Sequence, residues 1–377
     1  MQLAQLKTPA LILDRAILER NCAAMAVRMK KHGVALRPHM KTAKSARVAA
    51  VATAGQTGGI CVSTVAEAAY FARHGFRDIT YAFGIVPSKL DDLARLASEG
   101  VRIVLLVDDG PNAQAVAARS EALGVTFDVQ IEIDSGQHRA GLPPDSPDIV
   151  ALGRVIRSTR SLRLAGVLTH GGHSYDCRSA DECRIAAEEE RVAVTTAAAL
   201  LREAGLPCPH VSPGATPTAV HAATLDGATE MRPGNYMFFD LHQAGTGACT
   251  PADIAVSVLA SVVGHNRAYN RILIDSGALA LSKDIGANEA LPKTGYGWVY
   301  DMEGRGRLGD LRVARVSQEH GTIESDAPLP FERLPIGSKV RVFPNHSCLM
   351  TAAYGHYDVV EGTKIIDRWD RMNGWSV

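Results

Sequence analysis

The order of apolar and polar positions along the chain predicts an alternation of helices and strands. Asp14 precedes RAILERNCAAMAVRMKKH, whose apolar positions recur at helical spacing, so we expect a helix that Asp14 caps and Gly33 ends. Eight short apolar runs then follow, most of them separated by Ala- and Leu-rich segments such as STVAEAAYFARHG. The predicted strands are VALRPHMK, GICVS, ITYAF, RIVLLVD, FDVQIEID, LAGVLTH, HVSPG and ATEMRPG.

This alternation predicts the α/β class. Parallel strands that are buried on both faces show continuous apolar runs. Eight of them with intervening helices, within about 230 residues, favour a closed (β/α)8 TIM barrel over an open doubly wound sheet. The doubly wound alternative stays open at this point, although no GxGxxG motif opens a first helix.

The pattern changes after residue 250. The segments IAVSVLASVVGHN, RILIDSG, LRVARVSQEHG and SKVRVFPNH are strand-like, with Gly, Pro and Asn between them and no convincing helix. We therefore predict a barrel over residues 14–245 and a β domain over residues 246–377. Residues 1–13, which include the strand-like TPALILD segment, are expected to join the β domain.

Composition and charge narrow the function classes. The 377 residues are 46% hydrophobic, and 40 basic side chains balance 40 acidic ones, so binding to nucleic acid is not expected. No apolar run approaches the roughly 20 residues of a membrane span, and the N-terminus lacks signal-peptide features, which predicts a cytoplasmic protein. The seven cysteines form no CxxC pair, so we expect free thiols.

The segment LRPHMKTAKS places Lys41 directly behind the first predicted barrel strand. Barrel active sites lie at the C-terminal ends of the strands, so Lys41 is expected in the barrel mouth. Two interpretations stay open: a surface lysine, or a Schiff-base lysine whose pKa of about 10.4 is lowered by burial or by cationic neighbours. Arg37, His39 and Lys44 are candidates for such neighbours.

The loops after the last two barrel strands suggest a phosphate site. Barrels often bind phosphate there with backbone amides and hydroxyls, although such loops are more often plain turns. The candidate loop residues are Ser212, Gly214, Ala215, Thr216 and Thr218, followed by Arg232 and Tyr236 in MRPGNYMFFD. A lysine on the first strand and a phosphate cradle after the seventh predict pyridoxal phosphate as the cofactor.

Two further strand ends add candidate side chains. IDSGQHRAG contributes Arg139, which can hold an anionic oxygen of the cofactor. LTHGGHSYD contributes His170 and Tyr175, which can pack against its ring or serve as acid or base. Each alone is an ordinary polar residue at a strand end, and the signal is the repetition of reactive side chains over five of the eight strand ends.

The β domain contains an HxC pair in VRVFPNHSCLM. His346 and Cys348 are two residues apart on a predicted strand, so both would face the same side and could share a metal ion. An imidazole with a thiolate favours Zn2+, with Mn2+ or Co2+ as alternatives. Two protein ligands leave positions open for Lewis-acid catalysis, although an isolated HxC is more often structural.

Together these segments resemble the fold-type III pyridoxal-phosphate enzymes that act on D-3-hydroxyamino acids. RPHMKTAKS is similar to the RPHxKTxK segment of that family, which includes dehydratases of D-serine and of D-threo-3-hydroxyaspartate as well as D-threonine aldolases. The likeness continues in order through TPALILD, STVAEA, IEIDSGQHRAG, LTHGGHSY, GLPCPHVSPGATPT, RPGNYMFFD, SQEHG and PNHSC. It implies an alanine racemase-like barrel with a β domain, and a homodimer.

The resemblance also implies roles for individual residues. Lys41 would carry the cofactor and act with His170 in catalysis, while His346 and Cys348 would bind the metal. Arg139 would contact the cofactor's phenolic oxygen. The other implied cofactor contacts are Ser212, Gly214, Thr216 and Tyr236, with Arg232 at the position that addresses the pyridine nitrogen, where family members differ.

Two details select among the family members. The HxC pair is similar to that of the dehydratases, and Ala43 resembles the hydroxyaspartate branch, since the other members usually carry His there. We therefore expect elimination of water from D-threo-3-hydroxyaspartate, giving oxaloacetate and ammonia, or from D-serine, giving pyruvate and ammonia. Arg37 and Lys44 are the candidates for holding a distal carboxylate.

Three alternatives remain at this point. A D-threonine aldolase would release glycine and acetaldehyde instead of ammonia. A non-catalytic pyridoxal phosphate carrier of this fold would lack the β domain. A racemase would need a second base opposite Lys41, and the β domain offers no strong candidate tyrosine for that role.

Overall fold

A strand and a capped helix open the chain. In this computed structural model, which describes residues 1–376, β1 (Ala10–Asp14) leads directly into α1 (Arg15–Lys31). The carboxylate of Asp14 accepts a hydrogen bond from the backbone N–H of Ile17 at 3.1 Å, as a helix cap does. Gly33 follows with a φ of 70°, the left-handed conformation that ends many helices. The predicted first helix is confirmed.

Eight parallel strands follow, one for each predicted segment. They are β2 (Ala35–Leu36), β3 (Ile60–Val62), β4 (Asp78–Gly84), β5 (Arg102–Val107), β6 (Phe127–Ile133), β7 (Leu162–Thr169), β8 (His210–Ser212) and β9 (Glu230–Met231). The helices that connect them are α2 (Ala46–Ala52), α3 (Val65–Arg73), α4 (Leu90–Ser98), α5 (Gly110–Ala122), α6 (Asp148–Ser158), α7 (Ala180–Glu203) and α8 (Thr216–His221). The predicted alternation is confirmed.

These eight strands close into a ring. Strands β3 to β8 form one parallel sheet, and β2 pairs with β9. His39 forms a parallel bridge with Cys61, which joins the segment after β2 to β3. The backbone N–H of Thr229 donates to the carbonyl of Val211 at 2.8 Å, which joins β9 to β8. The (β/α)8 barrel prediction is confirmed, and the doubly wound alternative is wrong.

The remaining strands build a mainly antiparallel sheet. Its elements are α9 (Leu241–Gly245), β10 (Val256–Asn266), β11 (Arg271–Ile274), α10 (Ala278–Leu281), β12 (Gly297–Tyr300), β13 (Arg307–Val316), β14 (Gly321–Glu324), β15 (Lys339–Pro344), α11 (Ser347–Met350), β16 (His356–Glu361) and β17 (Lys364–Asp370). The strand order is β11-β14-β13-β12-β15-β10-β1-β16-β17, and β11 also pairs with β10, so six strands close on themselves. The C-terminal β architecture and the participation of the N-terminal strand are confirmed.

Contacts divide the described residues into two compact units. The β unit comprises Met1–Ala23 and Asn235–Asn373, and the barrel unit comprises Ala24–Gly234 with the C-terminal residues from Gly374. The boundaries drawn at residues 14–245 and 246–377 stay a prediction, and residue 377 lies outside the described residues. All seven cysteines are free thiols, as expected. Among residues 1–376, no helix combines the length and the apolar content that crossing a bilayer requires.

Candidate active site

Lys41 lies in the turn that follows the first barrel strand, and its neighbour there is a neutral imidazole. Its backbone N–H donates to Nδ1 of His39 at 3.3 Å. His39 is buried, and this burial, followed by the charge of Lys41, lowers the pKa of His39 well below 6.5. Lys41 itself is exposed, at the end of the strands where barrels carry out their chemistry.

His170 directly follows β7, and the loop after β8 fixes its ring. Nδ1 of His170 donates to the carbonyl oxygen of Gly214 at 2.7 Å. Because a carbonyl can only accept, Nδ1 carries the proton. Burial, followed by the charge of Lys41, lowers the pKa of His170 well below 6.5, so the ring is neutral and Nε2 offers a lone pair. The structure thus brings Lys41 and His170 into one site.

Arg232 and Ser212 are bonded to each other inside the barrel. Nε of Arg232 donates to Oγ of Ser212 at 2.7 Å, and its terminal nitrogen donates to the carbonyls of Ser212 and Thr169. Oγ of Ser212 in turn donates to Oε1 of Glu230 at 2.7 Å. The side chains of Arg232, Ser212 and Glu230 are all buried. The Ser212 hydroxyl donates its proton to Glu230 in this structure, and the predicted contact of Ser212 with the cofactor stays a prediction.

A buried carboxylate holds the loop after β8. Oε1 of Glu190 accepts the backbone N–H of Gly214 at 2.9 Å, and Oε2 accepts the hydroxyl of Thr218 at 2.6 Å. Burial raises the pKa of Glu190, and these hydrogen bonds oppose that effect. The Gly214 amide and the Thr218 hydroxyl are therefore bonded to Glu190 within the barrel, and the predicted cofactor contact of this loop stays a prediction.

Ala215 and Thr216 form the start of α8. Ala215 is the residue that caps this helix, and its backbone N–H donates to Oγ1 of Thr218 at 3.2 Å. Thr216 is the first residue of the helix and is fully buried. Glu190 binds Gly214 and Thr218 of the predicted phosphate loop, and the remaining members of that loop are Ser212, Ala215 and Thr216.

Tyr175 and Arg139 lie beside His170. Tyr175 is part of a short 3-10 turn over Gly172–Asp176, and its ring centre is 6.2 Å from that of His170. Arg139 is exposed in the loop after β6, and its charge adds to the burial and the Lys41 charge that lower the pKa of His170. Both predicted cofactor residues therefore belong to the group around the His170 ring.

The two cations suggested for a distal carboxylate are already paired. Nε of Arg37 donates to Glu230 at 2.8 Å, and its terminal nitrogens donate to Asp78 at 3.0 and 3.2 Å. The ammonium group of Lys44 lies 3.2 Å from Oε1 of Glu67. Because a buried charge requires its partner, the ion pairs of the buried Arg37 and of the buried Glu67 with Lys44 disfavour a role for either cation in holding a distal carboxylate.

The predicted metal pair lies in the β unit, at the start of a helix. Strand β15 ends at Pro344, His346 is the residue that precedes α11, and Cys348 lies in its first turn. Placing the pair on a strand is therefore wrong. Where the chain leaves the sheet, the side chain of Asn345 accepts the N–H of Ala287 at 3.0 Å and donates to the carbonyl of Gly295 at 2.8 Å. Cys348 still acts on His346, because the charge of Cys348 is a cause of the raised pKa of that imidazole.

A carboxylate fixes the His346 ring. Nδ1 of His346 lies 2.6 Å from Oδ2 of Asp284, whose Oδ1 accepts the N–H of Gly286 at 2.8 Å. Burial opposes the imidazolium form, but the charge of Cys348 and the Asp284 hydrogen bond outweigh it and raise the pKa of His346 to about 11. The His346 contact is the main cause that lowers the pKa of Asp284 to about 2. A carboxylate on Nδ1 leaves Nε2 as the metal-binding atom.

A second carboxylate orders the segment around Cys348. Oδ2 of Asp240 accepts the side-chain N–H of Asn235 at 2.7 Å and the backbone N–H of Ser347 at 2.9 Å. The same Asn235 nitrogen lies 3.7 Å from Sγ of Cys348. Tyr236, the next residue, is fully buried in the β unit, and this burial raises its pKa well above 10.

The side chains present fit pyridoxal phosphate and a soft divalent metal. The barrel unit presents the primary amine of Lys41 beside two neutral imidazoles, with the cation of Arg139. The β unit presents an imidazole and a thiol, and Oδ1 of Asn235 is buried there without a hydrogen-bond partner among residues 1–376, which is typical of a site that holds a further group. Within the same residues no cluster of three or more His, Cys, Asp or Glu side chains is arranged for a metal.

Sequence reasoning missed two carboxylates that organise these sites. Glu190 had a usable signal, because its neighbours three and four positions away on α7 are buried Ala and Val residues, and an acid on an apolar helix face indicates a buried partner. Asp284 had no such signal, since it lies in a loop 62 residues before His346.

Two family models cover most of the chain. Residues 13–242 match the N-terminal domain of alanine racemase, and residues 255–360 match a putative serine dehydratase domain. Alanine racemase from Clostridium difficile 630 shares the fold alone, with a TM-score of 0.70 at 14% identity over 97% of this chain and 99% of that chain.

Known dehydratases match over the full length. D-threo-3-hydroxyaspartate dehydratase from Delftia sp. strain HT23 is 41% identical over 99% of both chains, and its solved structure gives a TM-score of 0.96 over 99% of this chain and 100% of that chain. A cysteine-to-alanine mutant of such a dehydratase has been solved in a metal-free form, with the same TM-score and 39% identity over 100% of both chains. D-serine dehydratase from Dictyostelium discoideum is 31% identical over 98% of both chains. The chain therefore belongs to the fold-type III pyridoxal-phosphate-dependent family that contains these D-3-hydroxyamino acid dehydratases.

Proposed function

We propose that this chain eliminates water from a D-3-hydroxyamino acid with the help of pyridoxal phosphate and a divalent metal. The preferred substrate is D-threo-3-hydroxyaspartate, which yields oxaloacetate and ammonia, with D-serine, which yields pyruvate and ammonia, as the second candidate. The observation that carries the proposal is one chain that combines Lys41 beside two neutral imidazoles with a carboxylate-held His346 and Cys348 pair. The identity of 41% with a dehydratase over 99% of both chains supports it.

Lys41 is the base in this proposal. Bound pyridoxal phosphate supplies an electron sink for the charge that remains when the α-proton leaves. Nζ of Lys41 would hold pyridoxal phosphate, and its amine, once free, would take the α-proton of the substrate. His170 is neutral and its Nδ1 is held by Gly214, so its ring would be available to pack against the cofactor, and Nε2 could accept a hydrogen bond there.

His346 and Cys348 are the proposed metal ligands. Nε2 of His346 and the thiolate of Cys348 form a nitrogen and sulfur donor set that suits Zn2+, with Mn2+ or Co2+ as alternatives. The bound metal would supply Lewis acidity to the departing β-hydroxyl. Asp284 holds the other ring nitrogen of His346, so the imidazole meets the metal as a neutral ligand of fixed orientation.

The reaction is tested by product analysis. Purified protein would be incubated with D-serine, D-threonine and both diastereomers of D-3-hydroxyaspartate, and keto acid, ammonia and glycine would be measured. We expect keto acid and ammonia in equal amounts, with the fastest turnover on D-threo-3-hydroxyaspartate. Release of glycine and an aldehyde would identify an aldolase instead, and inertness toward all four compounds would contradict the proposal.

The role of Lys41 is tested by substitution. Lys41→Ala should abolish the visible absorbance of the lysine-bound cofactor together with turnover. Lys31→Ala, at the exposed end of α1, serves as the matched control and should leave both unchanged. A Lys41→Ala spectrum identical to that of the unsubstituted protein would remove the assignment.

A cytoplasmic homodimer completes the proposal. The family resemblance implies the dimer, and the cytoplasmic location is carried over as a prediction from the sequence. Light scattering on the purified protein tests the first point, and a monomer at all concentrations would contradict it. Fractionation of cells that produce the protein tests the second.

A further inference from the structure

Glu190, in the middle of α7, is a buried carboxylate to which the proposed reaction assigns no role. Only 1% of its surface is exposed. Oε1 accepts the backbone N–H of Gly171 at 2.5 Å and that of Gly214 at 2.9 Å, while Oε2 accepts the hydroxyl of Thr218 at 2.6 Å. Both oxygens are therefore satisfied by donors from outside the helix.

These three donors come from the two loops that carry the candidate cofactor residues. Gly171 follows His170 at the end of β7, and Gly214 and Thr218 belong to the loop and helix after β8. The carbonyl of Gly214 accepts Nδ1 of His170 at 2.7 Å. One oxygen of Glu190 thus fixes both the residue that follows His170 and the residue that holds its ring.

The packing around Glu190 leaves little freedom. A Cβ atom at Gly171 would lie 2.9 Å from Oε1 of Glu190, and one at Gly214 would lie 2.6 Å from the backbone nitrogen of Arg232. Real Cβ atoms do not approach neighbours so closely. A glycine at 171 therefore leaves room for the Glu190 carboxylate, and a glycine at 214 lets this loop pack against the backbone of Arg232.

We propose that Glu190 is a positioning residue of the cofactor site. Glu190 connects the loop after β7 to the loop after β8. This connection keeps Nδ1 of His170 hydrogen-bonded to the carbonyl of Gly214, and it directs Nε2 away from that carbonyl. The inference rests on the proposed function, since it assumes that His170 and the start of α8 contact pyridoxal phosphate. It adds a residue from a helix that contributes no side chain to the predicted site.

Three substitutions test the role. Glu190→Ala removes both acceptor oxygens, Glu190→Gln keeps one acceptor oxygen and the shape, and Glu203→Ala, at the exposed end of the same helix, is the matched control. Apoprotein of each variant would be titrated with pyridoxal phosphate, and visible circular dichroism of the bound cofactor would report how the site holds its ring. Thermal unfolding would be measured in parallel.

The three variants should differ in their affinity for pyridoxal phosphate in a defined order. Loss of hydrogen bonds to a charged acceptor should raise the Kd of Glu190→Ala by about tenfold or more and reduce the circular dichroism of the bound cofactor. Glu190→Gln should fall between this variant and the unsubstituted protein, and Glu203→Ala should match the latter. A folded Glu190→Ala variant with unchanged Kd and unchanged dichroism would overturn the inference, even with a lower melting temperature, because Glu190 would then be merely structural.

A second pair covers the case in which Glu190→Ala does not fold. Thr218→Val removes one donor to Glu190, whereas Thr218→Ser keeps the hydroxyl. We expect Thr218→Val to weaken cofactor binding about three- to tenfold and Thr218→Ser to restore it. Equal binding by both variants would overturn the inference.

Titration of the unsubstituted protein tests the proposed function separately, since a chain that binds no pyridoxal phosphate refutes that function whatever the variants show.

Discussion

The substitution Asp284→Asn isolates the carboxylate that fixes His346. Asp284 accepts two N–H groups, one from Nδ1 of His346 at 2.6 Å and one from the backbone of Gly286 at 2.8 Å. Asparagine has nearly the same shape but offers a single acceptor oxygen and an amide nitrogen that can only donate. The variant therefore cannot satisfy both groups at once.

Either orientation of the new amide has a defined cost. If its oxygen faces Gly286, its nitrogen donates to Nδ1 of His346, and the ring proton moves to Nε2, the atom proposed to bind the metal. If its oxygen faces His346, its amide N–H group faces the backbone N–H of Gly286, and neither has an acceptor. Loss of a partner that orients a metal-binding histidine typically lowers metal affinity by about 10- to 100-fold, equal to about 1.4–2.8 kcal/mol. We expect the Asp284→Asn variant to fall in that range.

Metal titration checks this expectation without relying on turnover. Metal-free protein would be titrated with Co2+, and the absorbance of the Co2+–thiolate bond of Cys348 would give the Kd. Asp301→Asn is the matched control, because Asp301 also accepts two backbone N–H groups, at 2.8 and 2.9 Å, but in a turn that lacks a histidine. A Kd for Asp284→Asn within twofold of the unsubstituted value would refute the reasoning.

Two further changes test the barrel. Arg37→Met removes the ion-pair partner of the buried Glu230 carboxylate, so the free energy of unfolding at pH 7 should fall by about 3–5 kcal/mol. Arg163→Met, which removes an exposed guanidinium from an Asp128 carboxylate that Arg102 still pairs, should cost about 1 kcal/mol or less. Burial opposes ionisation of Glu230, but the charge of Arg37 outweighs burial and lowers the pKa of Glu230 below 4.5. The stabilisation by this ion pair should therefore be present above pH 4.5 and be lost as the pH falls further. Urea unfolding at several pH values would measure this loss. Gly214→Ala should lose cofactor binding because its Cβ would lie 2.6 Å from a backbone nitrogen, while Gly110→Ala, in open space, should bind normally in the same titration.

The barrel could be predicted because burial on both faces leaves a continuous apolar signature. β5, RIVLLV, and β6, FDVQIEI, are nearly fully buried, and both were found from sequence. Even the two-residue strands β2 and β9 were located, because a helix precedes β2 and a turn precedes β9. Among the strands that were missed, β17, KIIDRWD, is largely exposed, so its composition is close to that of a loop. β12, GWVY, and β16, HYDVVE, were missed although they are mostly buried.

The candidate site was less predictable, because side-chain partners are set by the fold and not by local pattern. Arg37 and Lys44 were suggested as free cations, and only the closed barrel shows that Glu230 and Glu67 lie beside them. The loop after β8 has the composition of a phosphate cradle, yet Glu190 on a separate helix binds its Gly214 amide. Local sequence thus located the strand ends that carry reactive groups, but it did not show which of those groups are already occupied.

The two histidines assigned to chemistry are held in the same way, although they lie in different units. His170 donates Nδ1–H to the carbonyl of Gly214, and His346 directs Nδ1 at the carboxylate of Asp284. In each case the protein holds Nδ1 to orient the ring and leaves Nε2 for a ligand. The acceptors differ in charge, however: a neutral carbonyl suits a ring that must stay neutral beside a cofactor, whereas a carboxylate increases the electron density that a ring donates to a metal. Replacing Asp284 should therefore weaken metal binding, while disturbing Gly214 through Glu190 should act on the cofactor.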